Sequence, residues 1–359
     1  MKPTGLDPAQ EALRSIALHL VPHSTATQEL DARLDALQPK YVEAFVRLIN
    51  ENRIVSCTYQ LLSQLDSHFA RELMKLLEKQ IIEIEKLRSD RDELLVKLCA
   101  IFRESEIDYV VFKTINKSGA VGVDIDVMID YDEFERSTRL LQAHGFRAID
   151  DLSKKYATGF MFGNNPTIID LHTELAVLGV RYLSSFPLLS SKKKISYLPA
   201  GGGEPFELYL PNEVTDAIVR MSHSIIKEAN MTVDDIIEPL DAIAHERDLL
   251  TRYTNREGLQ TAITAFVEIS SFVVGGIYSS YLSVLDIEAM DLVARTTVAQ
   301  SAGSPKLPVK LPRMLSIDAL FDRLKRKDEI TEYLPLLIGS LRFKRNIEQL
   351  GRKVLGFNG

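Results

Sequence analysis

The sequence predicts an α+β fold, a small mixed-sheet core flanked by N-terminal and C-terminal helical regions. Three observations predict it. Residues up to about 105 space their apolar side chains at intervals of three and four, the helical period. From there to about 210 short β-rich runs take over, and one of them, "VDIDVMI", alternates strictly. After Pro211 the helical spacing returns. The expected organisation is a helical region over 1–105, an α/β core over 106–210, a helical domain over 211–304 and basic helices over 305–359. The 359 residues are enough for roughly two to three domains.

The elements follow in order. "PAQEALRSIALHL" and "PKYVEAFVRLINENR" carry helical periodicity, and Asn50 and Asn52 suit a break before "IVSCTYQLLSQL". The run "FARELMKLLEKQIIEIEKLRSDRDELLVKLCAIFRES" has neither Gly nor Pro. Its Leu73, Leu76, Leu77, Ile81, Ile84 and Leu87 form one stripe opposite a charged face. A long amphipathic helix is expected, not a coiled coil, because no clean heptad is sustained. In the core, "DYVVFKT" and "VDIDVMI" read as strands. "YDEFERSTRLLQAHGF" reads as a helix capped by Asp132 or Tyr131 and closed at Gly145. "YATGFMFG" and "TIIDLHTEL" are strands around the turn "GNNP". "KKISYLPAGGGEPFELYLP" reads as a hairpin about Gly201 to Gly203. It is not a phosphate loop, since no Lys-Ser or Lys-Thr follows and no helix opens there. Asn212 caps "NEVTDAIVRMSHSIIKEAN". The α/β stretch is too short for a doubly wound dinucleotide fold.

Composition limits the function. The chain is 45% hydrophobic and 26% charged, as expected of a globular protein with a real core. A net charge of -7 argues against nucleic acid along the whole length. A local patch stays open: residues 305–359 hold 12 Lys and Arg against 6 Asp and Glu, densest at "RLKRK" and "RFKR". These are either solvated helix faces or a surface for phosphate or RNA. Cys57 and Cys99 are too few for a disulfide framework or a four-cysteine zinc site, and read as buried small hydrophobes in a reducing cytoplasm. The N-terminus has acids where a signal peptide has an apolar core. Ile269 to Leu285 is uncharged, but it is short and rich in Ser, Gly and Tyr, so it reads as buried core and no membrane contact is expected.

The chemistry sits in "VGVDIDVMIDYDEF". A calcium loop starting at Asp124 would place Met128 and Ile129 where an oxygen ligand and a glycine are needed, so it fails. On a strand, Val123, Ile125, Val127 and Ile129 face one way and Asp124, Asp126 and Met128 the other. Carboxylates at i and i+2 lie roughly 7 Å apart and repel one another unless a cation is shared between them. Such a pair suits Mg2+ or Mn2+. Asp170, flanked by Ile168, Ile169 and Leu171, supplies a third carboxylate on a later strand and completes a candidate two-metal site. Asp124 and Asp126 would hold both ions, while Asp170 would hold one and help deprotonate a hydroxyl acceptor. His172 and Glu174 share the face of Asp170 by alternation, and His172 suits a hydrogen-bonding role behind the ligands. His223 reads as a structural histidine.

The order of "YVVFKT", "VDIDVMI", a helix, further strands and "IIDLHTEL" resembles the polymerase-β-type nucleotidyltransferase superfamily. It is closest to its branch of largely uncharacterised bacterial and archaeal members, and looser to nucleotidyltransferase toxins of toxin–antitoxin systems. The resemblance covers about 50 to 245. It implies a small mixed-sheet nucleotidyltransferase core that transfers a nucleoside monophosphate from a nucleoside triphosphate, with Mg2+ or Mn2+ as cofactor. The acceptor hydroxyl is open between RNA, a protein side chain and a small molecule. Asp124, Asp126 and Asp170 match the metal-binding carboxylates, and Lys113 matches the lysine after the first strand. Thr114, Lys117, Ser118 and Gly119 fall where the turn holds phosphate. Thr114 stands where glycine is usual, and Val121, Gly122 and Val123 stand where an arginine is common. A catalytically inactive nucleotide-sensing or partner-binding protein of the same fold is the alternative.

Overall fold

The computed structural model describes residues 8–20, 30, 34–35, 37–65, 67–149, 156–177, 180–274, 307–311 and 313–327. The fold is α+β. N-terminal helices α1 (Pro8–Leu20), α2 (Val42–Glu51) and α3 (Val55–Leu62) lead into α4 (His68–Glu104), a helix of 37 residues. Ser67 caps α4 by accepting from Ala70 N at 3.1 Å. The expected stripe is buried at Leu73 and Leu77, whereas Leu76 is 49% exposed. Further along, Leu94, Leu95, Leu98 and Phe102 are fully or almost fully buried against the sheet.

Five strands build that sheet: β1 (Tyr109–Phe112), β2 (Asp124–Ile129), β3 (Phe146–Ile149), β4 (Ala157–Phe162) and β5 (Ile168–His172). Their order is β1-β2-β5-β4-β3, and only the β2–β5 pair is parallel. The alternation sorts the faces as expected. Ile125, Val127 and Ile129 join Val111, Ile169, Leu171 and α4 in one core. Val110, Phe112 and Met128 join the other, which the N-terminal and C-terminal helices share. Burying one such side chain contributes about 1.5–3 kcal/mol, so both faces resist register slippage. Val123 departs from the expectation: it precedes the strand and is 66% exposed. Asp130, not Asp132 or Tyr131, caps the turn before α5 (Phe134–Ala143), accepting from Asp132 N at 3.0 Å.

"TIIDLHTEL" is two strands. The chain leaves the sheet at Thr173, and β6 (Glu174–Val177) pairs with β7 (Val180–Ser184) as a separate hairpin. The short helix α6 (Phe186–Ser190) follows. Then β8 (Lys193–Tyr197) and β9 (Phe206–Leu210) pair antiparallel around Gly201 to Gly203, so those glycines form a hairpin connection. Asn212 caps α7 (Glu213–Ser222), accepting from Thr215 N at 2.8 Å. A π-helical turn, His223–Glu228, continues α7 and stops at left-handed Ala229. Next come β10 (Asn230–Met231), α8 (Val233–Ile237), α9 (Leu240–His245), α10 (Arg247–Glu257) and α11 (Gln260–Val274). β11 (Val309–Lys310) pairs with β10, and α12 (Arg313–Arg326) packs on the π-helical turn and α11.

The two helical regions are joined directly. Gln10 in α1 exchanges hydrogen bonds of 2.9 and 2.8 Å with the backbone of Leu307. Ile269 and Val273, at the start of the uncharged segment, are buried; residues 275–285 lie outside the described residues. Among the described residues, no helix is long and apolar enough to cross a membrane. Within "RLKRK", Arg323 is buried and Arg326 pairs with Asp322 at 2.7 Å, while "RFKR" lies outside the described residues. Cys99 is buried and Cys57 half-buried; burial pushes their thiols up to about 11 and about 12, far from reactive thiolates.

Candidate metal centre

The parallel register of β2 and β5 sets Asp126 beside Asp170 and Met128 beside His172. Register partners share a face, so the two carboxylates project side by side. Ligand atoms of Asp126, Asp170 and His172 all lie within 4.8 Å of one another, and each residue is 7% exposed. This buried group could hold a metal ion. His172 Nε2 donates to Asp126 Oδ1 at 2.9 Å, and its ring stands edge-on to Phe112, which fixes its orientation. Lys113 Nζ lies 3.5 Å from the other oxygen, Asp126 Oδ2. The Asp126 backbone is pinned as well: its N–H donates to Thr114 Oγ1 at 3.1 Å, and that hydroxyl donates to Phe112 O.

Electrostatics separate the carboxylates. Burial alone would raise the Asp126 carboxyl. The Lys113 ammonium and the His172 hydrogen bond outweigh it and hold Asp126 well below the usual carboxylate range. Asp124 moves the other way, raised by burial and by the charge of Asp126, with Lys113 opposing. Among the described residues the 4.8 Å group does not extend to Asp124, which stands half-buried at the start of β2. Its Oδ1 faces Gly122, where a Cβ would lie 3.2 Å away. The sequence joined Asp124, Asp126 and Asp170; the structure groups Asp126 and Asp170 with His172, and Asp124 lies outside that 4.8 Å group.

Other sequence expectations resolve differently. Glu174 is on β6, pairs with Arg181 at 2.9 Å and is not in the 4.8 Å group. Thr114 is buried with its hydroxyl committed to β1 and β2, so it does not face a phosphate. The Ser118 N–H donates to Glu238 Oε1 at 2.9 Å and its hydroxyl donates to Asp234 Oδ1. The Gly119 N–H donates to Asn116 O at 3.2 Å, and its carbonyl accepts from Arg88 Nη2 at 2.9 Å. Lys117 is exposed. Of the expected phosphate residues, only Lys113 reaches the carboxylates. Lys113 adopts φ 56°, so the left-handed backbone that usually calls for glycine falls on the lysine itself.

Three neighbours were not singled out for the site. Gly159 on β4 is the register partner of Asp170, and a Cβ there would lie 3.2 Å from Asp170 Oδ1. Tyr182 on β7 is buried, with its phenol raised by burial and by the charge of Asp126. Its hydroxyl meets His223 Nδ1 at 3.0 Å, and His223 Nε2 meets Glu228 Oε1 at 3.0 Å. Burial and the charge of Lys113 push His223 down to about 3, so the ring is neutral near pH 7. Tyr182 then donates to Nδ1 and Nε2–H donates to Glu228. His223 is thus a hydrogen-bonded histidine, as expected. Single π-helical turns inside α-helices are rare and are frequently found at functional sites.

No protein-family model matches the chain, and neither the curated proteins nor the solved structures give a significant match.

Proposed function

We propose that the protein is a nucleotidyltransferase that moves a nucleoside monophosphate from a nucleoside triphosphate to a hydroxyl acceptor, releasing pyrophosphate. The observation that carries this reading is the register pairing of Asp126 with Asp170, with Lys113 and His172 against Asp126. The two carboxylates, in a buried group whose ligand atoms lie within 4.8 Å, suit an oxygen-preferring divalent ion, Mg2+ or Mn2+, that Asp126 and Asp170 would hold with Asp124 at the edge. When bound, such an ion neutralises phosphate charge and polarises the attacked phosphorus. Asp170 would accept the proton of the acceptor hydroxyl at a carboxylate oxygen. His172 would hold Asp126 in place through Oδ1, and Lys113 would supply positive charge next to the phosphates. The acceptor classes that fit are RNA, a protein side chain or a small molecule, and a cytoplasmic setting goes with the nucleotide pool.

One observation favours a second reading, an inactive nucleotide-sensing or partner-binding protein of the same architecture: the backbone N–H of Ser118 is occupied by Glu238. Label transfer separates the two. With each nucleoside triphosphate labelled at the α-phosphate, Mg2+ or Mn2+, and cell extract as acceptor source, the wild-type chain is expected to transfer label. The Asp124→Ala/Asp126→Ala variant is expected to lose it. Transfer that persists in the variant removes the site from the reaction. No transfer in the wild type, together with no metal-dependent nucleotide binding, supports the second reading.

A further inference from the structure

We propose that the turn 113–119 is an anion cradle held closed by the chain's own carboxylates, with Glu238 as the group that an incoming polyphosphate must displace. Its link to a nucleotide rests on the nucleotidyltransferase reading; the cradle itself does not.

The turn begins and ends in left-handed backbone, at Lys113 (φ 56°) and Gly119 (φ 75°). Backbone N–H groups in such turns form concavities that bind anions. Here the anions are internal. The Lys113 N–H donates to Asp216 Oδ1 at 3.3 Å, the Ser118 N–H to Glu238 Oε1 at 2.9 Å, and the Ser118 hydroxyl to Asp234 Oδ1. Asp216 is on α7, Asp234 is on α8, and Glu238 lies between α8 and α9. Arg220 faces all three and bonds Asp216 Oδ2 at 2.5 Å and the Ile115 carbonyl at 3.4 Å. Asp234 and Glu238 are nevertheless buried together, 2% and 8% exposed. Like charges kept this close are unfavourable, and burial with the charge of Glu238 pushes the Asp234 carboxyl up to about 7. The turn's donors hold them there, because buried N–H groups require acceptors.

A second observation shows the way in. A cleft of about 240 Å³ opens against the same turn. Lys113, Lys117 and Lys193 line it together with Asn116, Glu213, Asp216 and Glu238, and Lys193 Nζ pairs with Glu213 at 3.3 Å. Three ammonium groups beside two of the occluding carboxylates form an approach for a polyanion that ends at Glu238. An anion arriving there exchanges places with the Glu238 carboxylate at the Ser118 N–H. Glu238 immediately precedes Pro239, at the break between α8 and α9.

The test uses the full chain and inorganic tripolyphosphate, titrated calorimetrically without nucleotide into wild type, Glu238→Gln and Glu238→Ala. Removing the competing charge is expected to tighten binding about tenfold in Glu238→Gln and further in Glu238→Ala. Adding Lys117→Ala and Lys193→Ala to Glu238→Gln is expected to cancel the gain. Equal or weaker binding in both Glu238 variants, or no binding by any form, overturns the proposal. A readout independent of any variant is the Ser118 amide resonance of the wild-type chain, which is expected to shift at saturating tripolyphosphate. An unmoved resonance overturns the proposal as well. Tripolyphosphate carries no nucleoside, so a failure of label transfer with the Glu238 gain intact removes the enzymatic reading and leaves the cradle.

Discussion

Asp92→Ala is expected to lower the unfolding free energy by about 3–5 kcal/mol, the usual cost of breaking a buried ion pair from one side. Asp92 and Arg91 are 1% and 3% exposed in the middle of α4. Asp92 Oδ1 accepts from Arg91 Nε at 3.1 Å and Nη2 at 2.8 Å and from the Tyr197 hydroxyl at 3.1 Å. Asp92 Oδ2 accepts from Ala200 N at 2.8 Å. Alanine would leave a guanidinium buried without its counter-charge and an amide without its acceptor. The effect should reach the candidate site, because Arg91 Nη1 also donates to Thr114 O at 3.0 Å, one residue after Lys113. Urea unfolding followed by circular dichroism measures the loss. A change under about 1 kcal/mol would mean that the network is solvated in solution.

Asp234→Asn is expected to stabilise the protein above neutral pH, with the sign set by linkage. The Asp234 carboxyl is raised from 3.8 to about 7 by burial, then by the charges of Glu238 and Asp235. Between those values the folded chain holds a proton that the unfolded chain has lost, so stability falls as pH rises through the window. At about 1.4 kcal/mol per pH unit the full penalty is roughly 4 kcal/mol, an upper bound because its carboxylate neighbours titrate with it. Asparagine keeps the acceptor for Ser118 and removes the charge. Wild type and variant should match near pH 4 and diverge steadily up to pH 8, the variant being the more stable. A difference independent of pH would show that Asp234 is ionised throughout.

How far the sequence could be read depends on the range of each interaction. The alternation of Asp124 to Ile129 is local, and it separated the aliphatic face from the carboxylate face correctly. The long helix was legible because neither Gly nor Pro interrupts it and its apolar spacing persists. The adjacency of Asp126 and Asp170 follows from a parallel pairing between distant strands, which residue pattern alone suggests but does not register. The break at Thr173 was invisible because "TIIDLHTEL" remains β-rich through the point where it leaves the sheet, and that break removes Glu174 from the group. Tyr182 and His223 carry no local signal: one is an alternating strand residue and the other lies within a helical run. The turn 113–119 was the hardest to read. Its acceptors, Asp216 on α7, Asp234 on α8 and Glu238 just after α8, lie more than a hundred residues later.

Asp126 and Asp170 are proposed to form a divalent-ion site. Its most direct test is Mn2+ binding followed by electron paramagnetic resonance on the purified chain, with Asp126→Asn and Asp170→Asn alongside. Wild type is expected to bind Mn2+ saturably, competed by Mg2+, and each variant at least tenfold more weakly with the fold intact by circular dichroism. Equal Mn2+ binding by wild type and both variants would contradict it.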